Sequence, residues 1–96
     1  MEEKGGGGVP RGRIATTDLF KGAYFLCSGC DLEQIVFGGG RSEIAEFWII
    51  GLKLPELERD YRTGKARVNP MEFRESLNNL RDELFKAKKE RDGAKR

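Results

Sequence analysis

The sequence predicts an α+β fold: a helix, a β-hairpin, a short helix and a long C-terminal helix packed on one face of the sheet. Three observations predict it. Residues 69–84 carry a capped helix start followed by an apolar stripe. Residues 31–37 (DLEQIVF) and 42–50 (SEIAEFWII) are two strand-like runs separated by three glycines. Gly29 and Gly64 stand where two helical patterns run out, as glycines past a helix end do.

The long helix is the clearest element. Asn69 can accept from the backbone N–H groups of a first turn, and Pro70 sits where its missing N–H costs nothing. Glu72, three residues after the cap, completes a capping-box pattern. Phe73, Leu77, Leu80 and Leu84 then recur at spacings of 4, 3 and 4, a narrow stripe for burial. Asp82, Lys86 and Glu90 are spaced as surface ion pairs that carry the helix onward into solvent.

The other elements follow in order. Residues 1–15 read as a flexible leader because four consecutive glycines at 5–8 are costly to order. Arg11 and Arg13 lie in it. Thr16, Thr17 and Asp18 open the first helix, with threonine as the cap and an acid in the first turn. Leu19, Ala23 and Leu26 share its inner face, and Tyr24 and Phe25 fall toward its outer side. In the second strand Ala45, Phe47 and Ile49 alternate with Ile44, Glu46, Trp48 and Ile50, so both faces are apolar at the far end. That leaves one face to be covered or to meet a second subunit. Pro55 starts the short helix, and Leu57 and Tyr61, four apart, both point inward. Lys65 to Val68 is extended and is available as a short third strand. The expected domain therefore spans 16–85, with 86–96 a basic tail or helix extension.

Composition bounds the function. Ninety-six residues hold one small domain, marginal unless idealised, stapled or oligomeric. Formal charge is +2, from 18 basic and 16 acidic residues, too even to argue nucleic-acid binding alone. The basic excess is local: residues 86–96 hold six basic and two acidic groups. Lys86, Lys88, Lys89, Arg91, Lys95 and Arg96 are therefore the candidate nucleic-acid contacts. Phe25, Trp48, Ile50 and Phe85 are the candidate interaction surface. No run approaches the length a membrane span needs. The acidic, then glycine-rich start has no apolar core of a secretory signal, so a cytoplasmic location is the expectation.

Catalysis has no obvious candidates. There is no histidine, the commonest general base and metal ligand. Cys27-Ser28-Gly29-Cys30 is a CxxC, but it falls at a helix C-terminus, where the dipole disfavours a thiolate. Two cysteines supply half of a tetrahedral zinc site, so only a symmetric dimer sharing Cys27 and Cys30 from both copies completes one. The GGGR turn at 38–41 lacks the lysine and hydroxyl of a phosphate loop. No cofactor is expected.

Laid end to end, the pieces resemble a small uncharacterised domain of bacteria and their phages, a family with no assigned function. The resemblance runs from Ile14 to Leu84. It rests on the Thr-Thr-Asp-Leu-aromatic opening at Thr16 to Phe20, Gly29 after the first helix, and the pattern Phe47 to Ile49. Tyr61, Gly64 and Val68 follow, then Phe73, Leu77 and Leu80 on the last helix. Lys21 and Gly22 inside the first helix depart from it, and that family carries no CxxC. The resemblance implies a fold and a small accessory protein of mobile-element context, not an activity. Two functions are therefore expected: a non-catalytic binding module contacting nucleic acid or a nucleic-acid-handling complex, or a protein-interaction module, including a homodimer.

Overall fold

The computed structural model describes residues 12–38 and 44–94. Its elements are β1 (Gly12–Thr16), α1 (Leu19–Cys27), β2 (Asp31–Phe37), β3 (Ala45–Gly51), α2 (Leu54–Thr63) and α3 (Pro70–Ala94). The three strands form one antiparallel sheet in the order β1-β3-β2. The fold is α+β, with the long C-terminal helix against the sheet.

The capping chemistry places the helix ends. Asn69 Oδ1 accepts from the backbone N–H groups of Met71 (2.9 Å) and Glu72 (3.2 Å), as its position before Pro70 predicts. Gly29 (φ 96°) and Gly64 (φ 82°) take the left-handed backbone that lets α1 and α2 stop. At α1 the cap is Asp18, not the threonine expected. Its carboxylate accepts from Phe20 (2.9 Å) and Lys21 (3.2 Å), while Thr16 Oγ1 takes the N–H of Asp18 itself (3.1 Å). Thr16 is unavailable as a cap because it is the last residue of a strand.

That strand corrects the expected leader. Gly12 to Thr16 is not a tail: it pairs residue for residue with β3, from Gly12 opposite Gly51 to Thr16 opposite Phe47. The part of the leader at 1–11, Arg11 included, lies outside the described residues. The third strand is therefore this one and not Lys65 to Val68. The N–H groups of Lys65 and Ala66 both donate to Asp60 O (2.8 and 3.0 Å), which folds the chain back on α2 and keeps it from a sheet edge. The hairpin forms as predicted. Gly38 N–H donates to Ile44 O (3.0 Å) at the mouth of the turn, and residues 39–43 of the glycine turn lie outside the described part.

Strand β2 shows why its pattern is not strictly alternating. Leu32, Ile35 and Phe37 are its inward residues, and the first two are three apart. The register jumps between Leu32, opposite Ile49, and Gln34, opposite Trp48, so Glu33 is an extra residue in a bulge. The bulge restores the phase. It also turns Glu33 and Gln34 to the same outer side.

The core lies between the sheet and the helices. Ala23, Tyr24, Phe25, Cys30, Phe47, Ile49, Leu54 and Leu80 are buried, with Ile14, Leu32, Ile35, Leu57, Tyr61, Phe73 and Leu84 packed around them. Helix α1 is the middle of this layer. It touches α2, α3 and all three strands, so four consecutive residues, Gly22 to Phe25, are buried. Phe25, 0% exposed, is thus a core residue and not the outward contact expected. Neighbours on several sides leave α1 no outer face at that position.

Two glycines set how closely the layers approach. A Cβ on Gly22 would meet Leu80 Cδ2 at 3.0 Å and Ile49 Cδ1 at 3.7 Å, so the missing side chain is the seat of Leu80. A Cβ on Gly51 would run into the Cys30 sulfur.

Of the α3 stripe, Leu80 is fully buried and Leu77 half-buried. Replacing Leu80 by Ala is expected to destabilise the fold by about 2–5 kcal/mol. Leu77→Ala should cost distinctly less. Urea denaturation of both variants followed by circular dichroism checks the order, and equal losses would show that α3 is not anchored at Leu80.

Candidate interaction surface

The residues on the two sides of the sheet differ in kind. Partners in an antiparallel ladder point the same way. Gly12, Ile14, Thr16, Leu32, Ile35, Phe47 and Ile49 therefore face the helices. Ala15, Trp48 and Gln34 form one row of the opposite face, Arg13, Ile50 and Asp31 the next, and Val36 with Glu46 a third. No described helix lies on that face. Val36 is exposed, and Trp48 and Ile50 are half-buried.

Side-chain contacts organise this open face around Trp48. The Arg13 guanidinium sits 4.8 Å from the centroid of the indole, within cation–π range. Its Nε donates to Glu33 Oε1 at 2.7 Å, from the bulge of β2. Trp48 Nε1–H donates to Glu46 Oε1 at 3.1 Å, which fixes the rotamer of the ring. Arg13 thus reaches from β1 over the central strand to β2. Asp31, Glu33 and Glu46 stand on this face with Arg13, and Glu33 and Gln34 border a hollow that Lys86 of α3 also lines.

The basic candidates occupy a different place. Lys86, Lys88 and Lys89 are exposed on the last turns of α3, and Arg91 is half-buried. Lys86 pairs with Glu83 (3.6 Å) rather than with Asp82 or Glu90. Lys89 lies 5.2 Å over the ring of Phe85, and Arg91 lies 5.0 Å over Phe37 at the end of β2. Phe85 is 63% exposed, its apolar surface partly shared with Lys89. Lys95 and Arg96 lie outside the described residues. Of the interaction residues expected from sequence, Trp48 and Ile50 share one face, Phe85 stands apart on α3, and Phe25 is inside.

Cys27 and Cys30 are not joined in a disulfide. Cys30 is buried with its sulfur against Gly51, and Cys27 closes α1. Burial, then the nearby Glu72 carboxylate, pushes the Cys27 thiol up from its ordinary value. Among the described residues no group of three or more Cys, Asp or Glu side chains is placed to hold a metal ion. With Cys30 enclosed, a zinc shared between copies would first require the loop after α1 to open. Cys30 also lines a hollow of about 430 Å³ with Ser28, Gly29, Leu52, Lys53 and Leu57. Among the described residues no helix is long and apolar enough to cross a membrane.

A polar network joins α1 to α2. Tyr61 Oη donates to Asp18 Oδ2 (3.4 Å), and Lys21 Nζ pairs with Glu58 Oε2 (3.1 Å). The rings of Tyr24 and Tyr61 pack at 5.4 Å. Sequence reasoning missed Glu33 and Glu46 as site residues, and it placed Arg13, a candidate partner contact, on a flexible leader. Arg13 stood in an apparent tail, and the two acids gain meaning only from cross-strand register.

Burial is the leading cause that raises the Tyr24 and Tyr61 phenols above 10.0, with Asp60 and Asp18 adding to it. A raised acid keeps its proton in the folded state after the unfolded chain has released it, so stability falls as pH rises. The fold is expected to be insensitive to these groups below pH 9 and to weaken progressively as pH climbs through about 10. Thermal melts across that window should show the loss, and Tyr24→Phe should flatten it. An unchanged slope in Tyr24→Phe would remove Tyr24 from this account. No family model, curated protein or solved structure matches this chain.

Proposed function

We propose that this chain is a non-catalytic binding module that meets a protein partner through the open face of its sheet. One observation carries the reading. The three helices gather on one side of a three-stranded sheet, while the central strand presents Trp48 and Ile50 on the other, beside Val36 and Ala15. A tryptophan on the middle strand, with its polar edge already satisfied by Glu46, suits the buried anchor of an interface. The likeness to the bacterial and phage domain fits a small accessory protein, and it adds no activity. The partner is a second copy or another chain.

A second reading has its own observation. The exposed Lys86, Lys88 and Lys89 stand on the last turns of α3. They suit phosphates, and contact there would be electrostatic and steep in salt.

The two readings separate with one pair of variants. Trp48→Asp is expected to abolish self-association or partner capture while circular dichroism stays native, since the side chain is outside the core. Combined neutralisation of Lys88, Lys89 and Arg91 should leave that association untouched. If instead only the lysine and arginine changes act, and they flatten the salt dependence of binding to a short DNA duplex, the nucleic-acid reading replaces the first.

A further inference from the structure

Resting on the phosphate reading of α3, we infer that the outer face of this helix seats a single-stranded nucleic acid, its phosphates along a row of cations and a base stacked on Phe85. Helical spacing builds the face. Arg74, Arg81 and Lys88 recur every seven residues and so lie in one row, about 10.5 Å apart along the axis. Met71, Asn78 and Phe85 recur at the same interval in the row beside it. Phe73, Leu77, Leu80 and Leu84 form the stripe turned to the core, so both rows point away from it, and all six of their residues are exposed. Among the described residues Arg74, Arg81 and Lys88 form no ion pair. Phe85 is 63% exposed, with the Lys89 ammonium 5.2 Å over its ring.

The charges of α3 are sorted by side. Between Met71 and Lys89 the outer face holds four bases, Arg74, Arg81, Lys88 and Lys89, against two acids at its border, Glu75 and Asp82. Glu72, Glu83 and Glu90 fall on the other flank. There Glu83 and Glu90 line a hollow with Lys86 and β2, and Lys86 pairs with Glu83 at 3.6 Å. A strip of net positive charge whose main row has no protein partner complements a phosphate backbone. Two rows at heptad spacing would also suit a second helix, but such a seam needs both rows apolar. Here one row is Arg-Arg-Lys, which a second copy would meet with its own like charges. The aromatic ring selects the kind of strand. A duplex keeps its bases stacked inside, whereas an unpaired strand can lay a base on an exposed ring, and a neighbouring cation strengthens the contact. From Arg74 to Lys88 the row spans about 21 Å, room for several nucleotides.

The full chain is titrated into a short fluorescein-labelled oligothymidylate and, in parallel, into a labelled duplex of equal length, with binding read by fluorescence anisotropy at several salt concentrations. The single strand is expected to bind the tighter of the two, with a log–log salt slope of about −2 to −3, as four phosphate contacts give. Arg81→Gln should weaken binding and reduce that slope by about 0.7. Phe85→Ala should weaken binding by about five- to fiftyfold at unchanged slope, and Phe85→Tyr should keep it. Both positions are exposed, and circular dichroism checks that each variant stays native. A duplex bound as tightly as the single strand, or Phe85→Ala without effect, would overturn the inference. If Arg81→Gln still weakens both ligands in that case, the phosphate reading stands without the single-strand preference. Failure of both ligands to bind at low salt would remove the two together.

Discussion

Leu80 against Gly22 is the contact on which the architecture depends. At that point α3 and α1 meet, and the same notch is bounded by Ile49 of β3 and Thr16 of β1. Four elements converge where one side chain is missing. A glycine inside a helix costs about 0.5–1 kcal/mol relative to alanine, but here it lets a leucine disappear from water entirely. The benefit of burying such a side chain, roughly 1.5–3 kcal/mol, exceeds that cost. The stripe of α3 is thin, so its docking rests on a few residues, with Phe73 stacked on Phe20 (6.5 Å) at one end and Leu84 at the other.

Because the helices take one side of the sheet, the chemistry of the other side is set by strand register alone. Every residue of β3 contributes to one face or the other, and the apolar character of both phases follows from that division of labour. Phe47 and Ile49 serve the core. Trp48 and Ile50 serve the outside. Acids and bases are mixed at the junction of the sheet edge and α3, where Glu33 and Gln34 border a hollow with Glu83, Lys86 and Glu90.

The local features were legible in the sequence. Asn69 before Pro70, the glycines at 29 and 64, and the hairpin runs each depend on residues within a few positions of one another. Their physics needs no tertiary context. The features that were not legible depend on distant partners. Gly12 to Thr16 is short and follows glycines, and only pairing with β3 makes it a strand. Phe25 sits on the outer side of its own helix wheel, yet it is buried because neighbours surround α1. Glu33 breaks an alternation that looks like noise until the bulge is seen. Trp48 and Ile50 were recognisable as a surplus of apolar residues, but the cation above them was not.

The strand order also dictates a sequence of events in time. β1 and β2 both lie beside β3 and not beside each other, and β3 is the last of the three to leave a ribosome. Until it does, Gly12 to Thr16 has no strand to pair with, and α1 has no sheet beneath it. β2 can close first, through the short hairpin, while β1 must return across a long loop to reach Gly51. Such non-local closure is entropically slow. The nascent chain thus carries an unpaired strand and an apolar helix together, and the last anchor, Leu80, arrives later still. A chaperone or an early-folding partner would find its target in that interval.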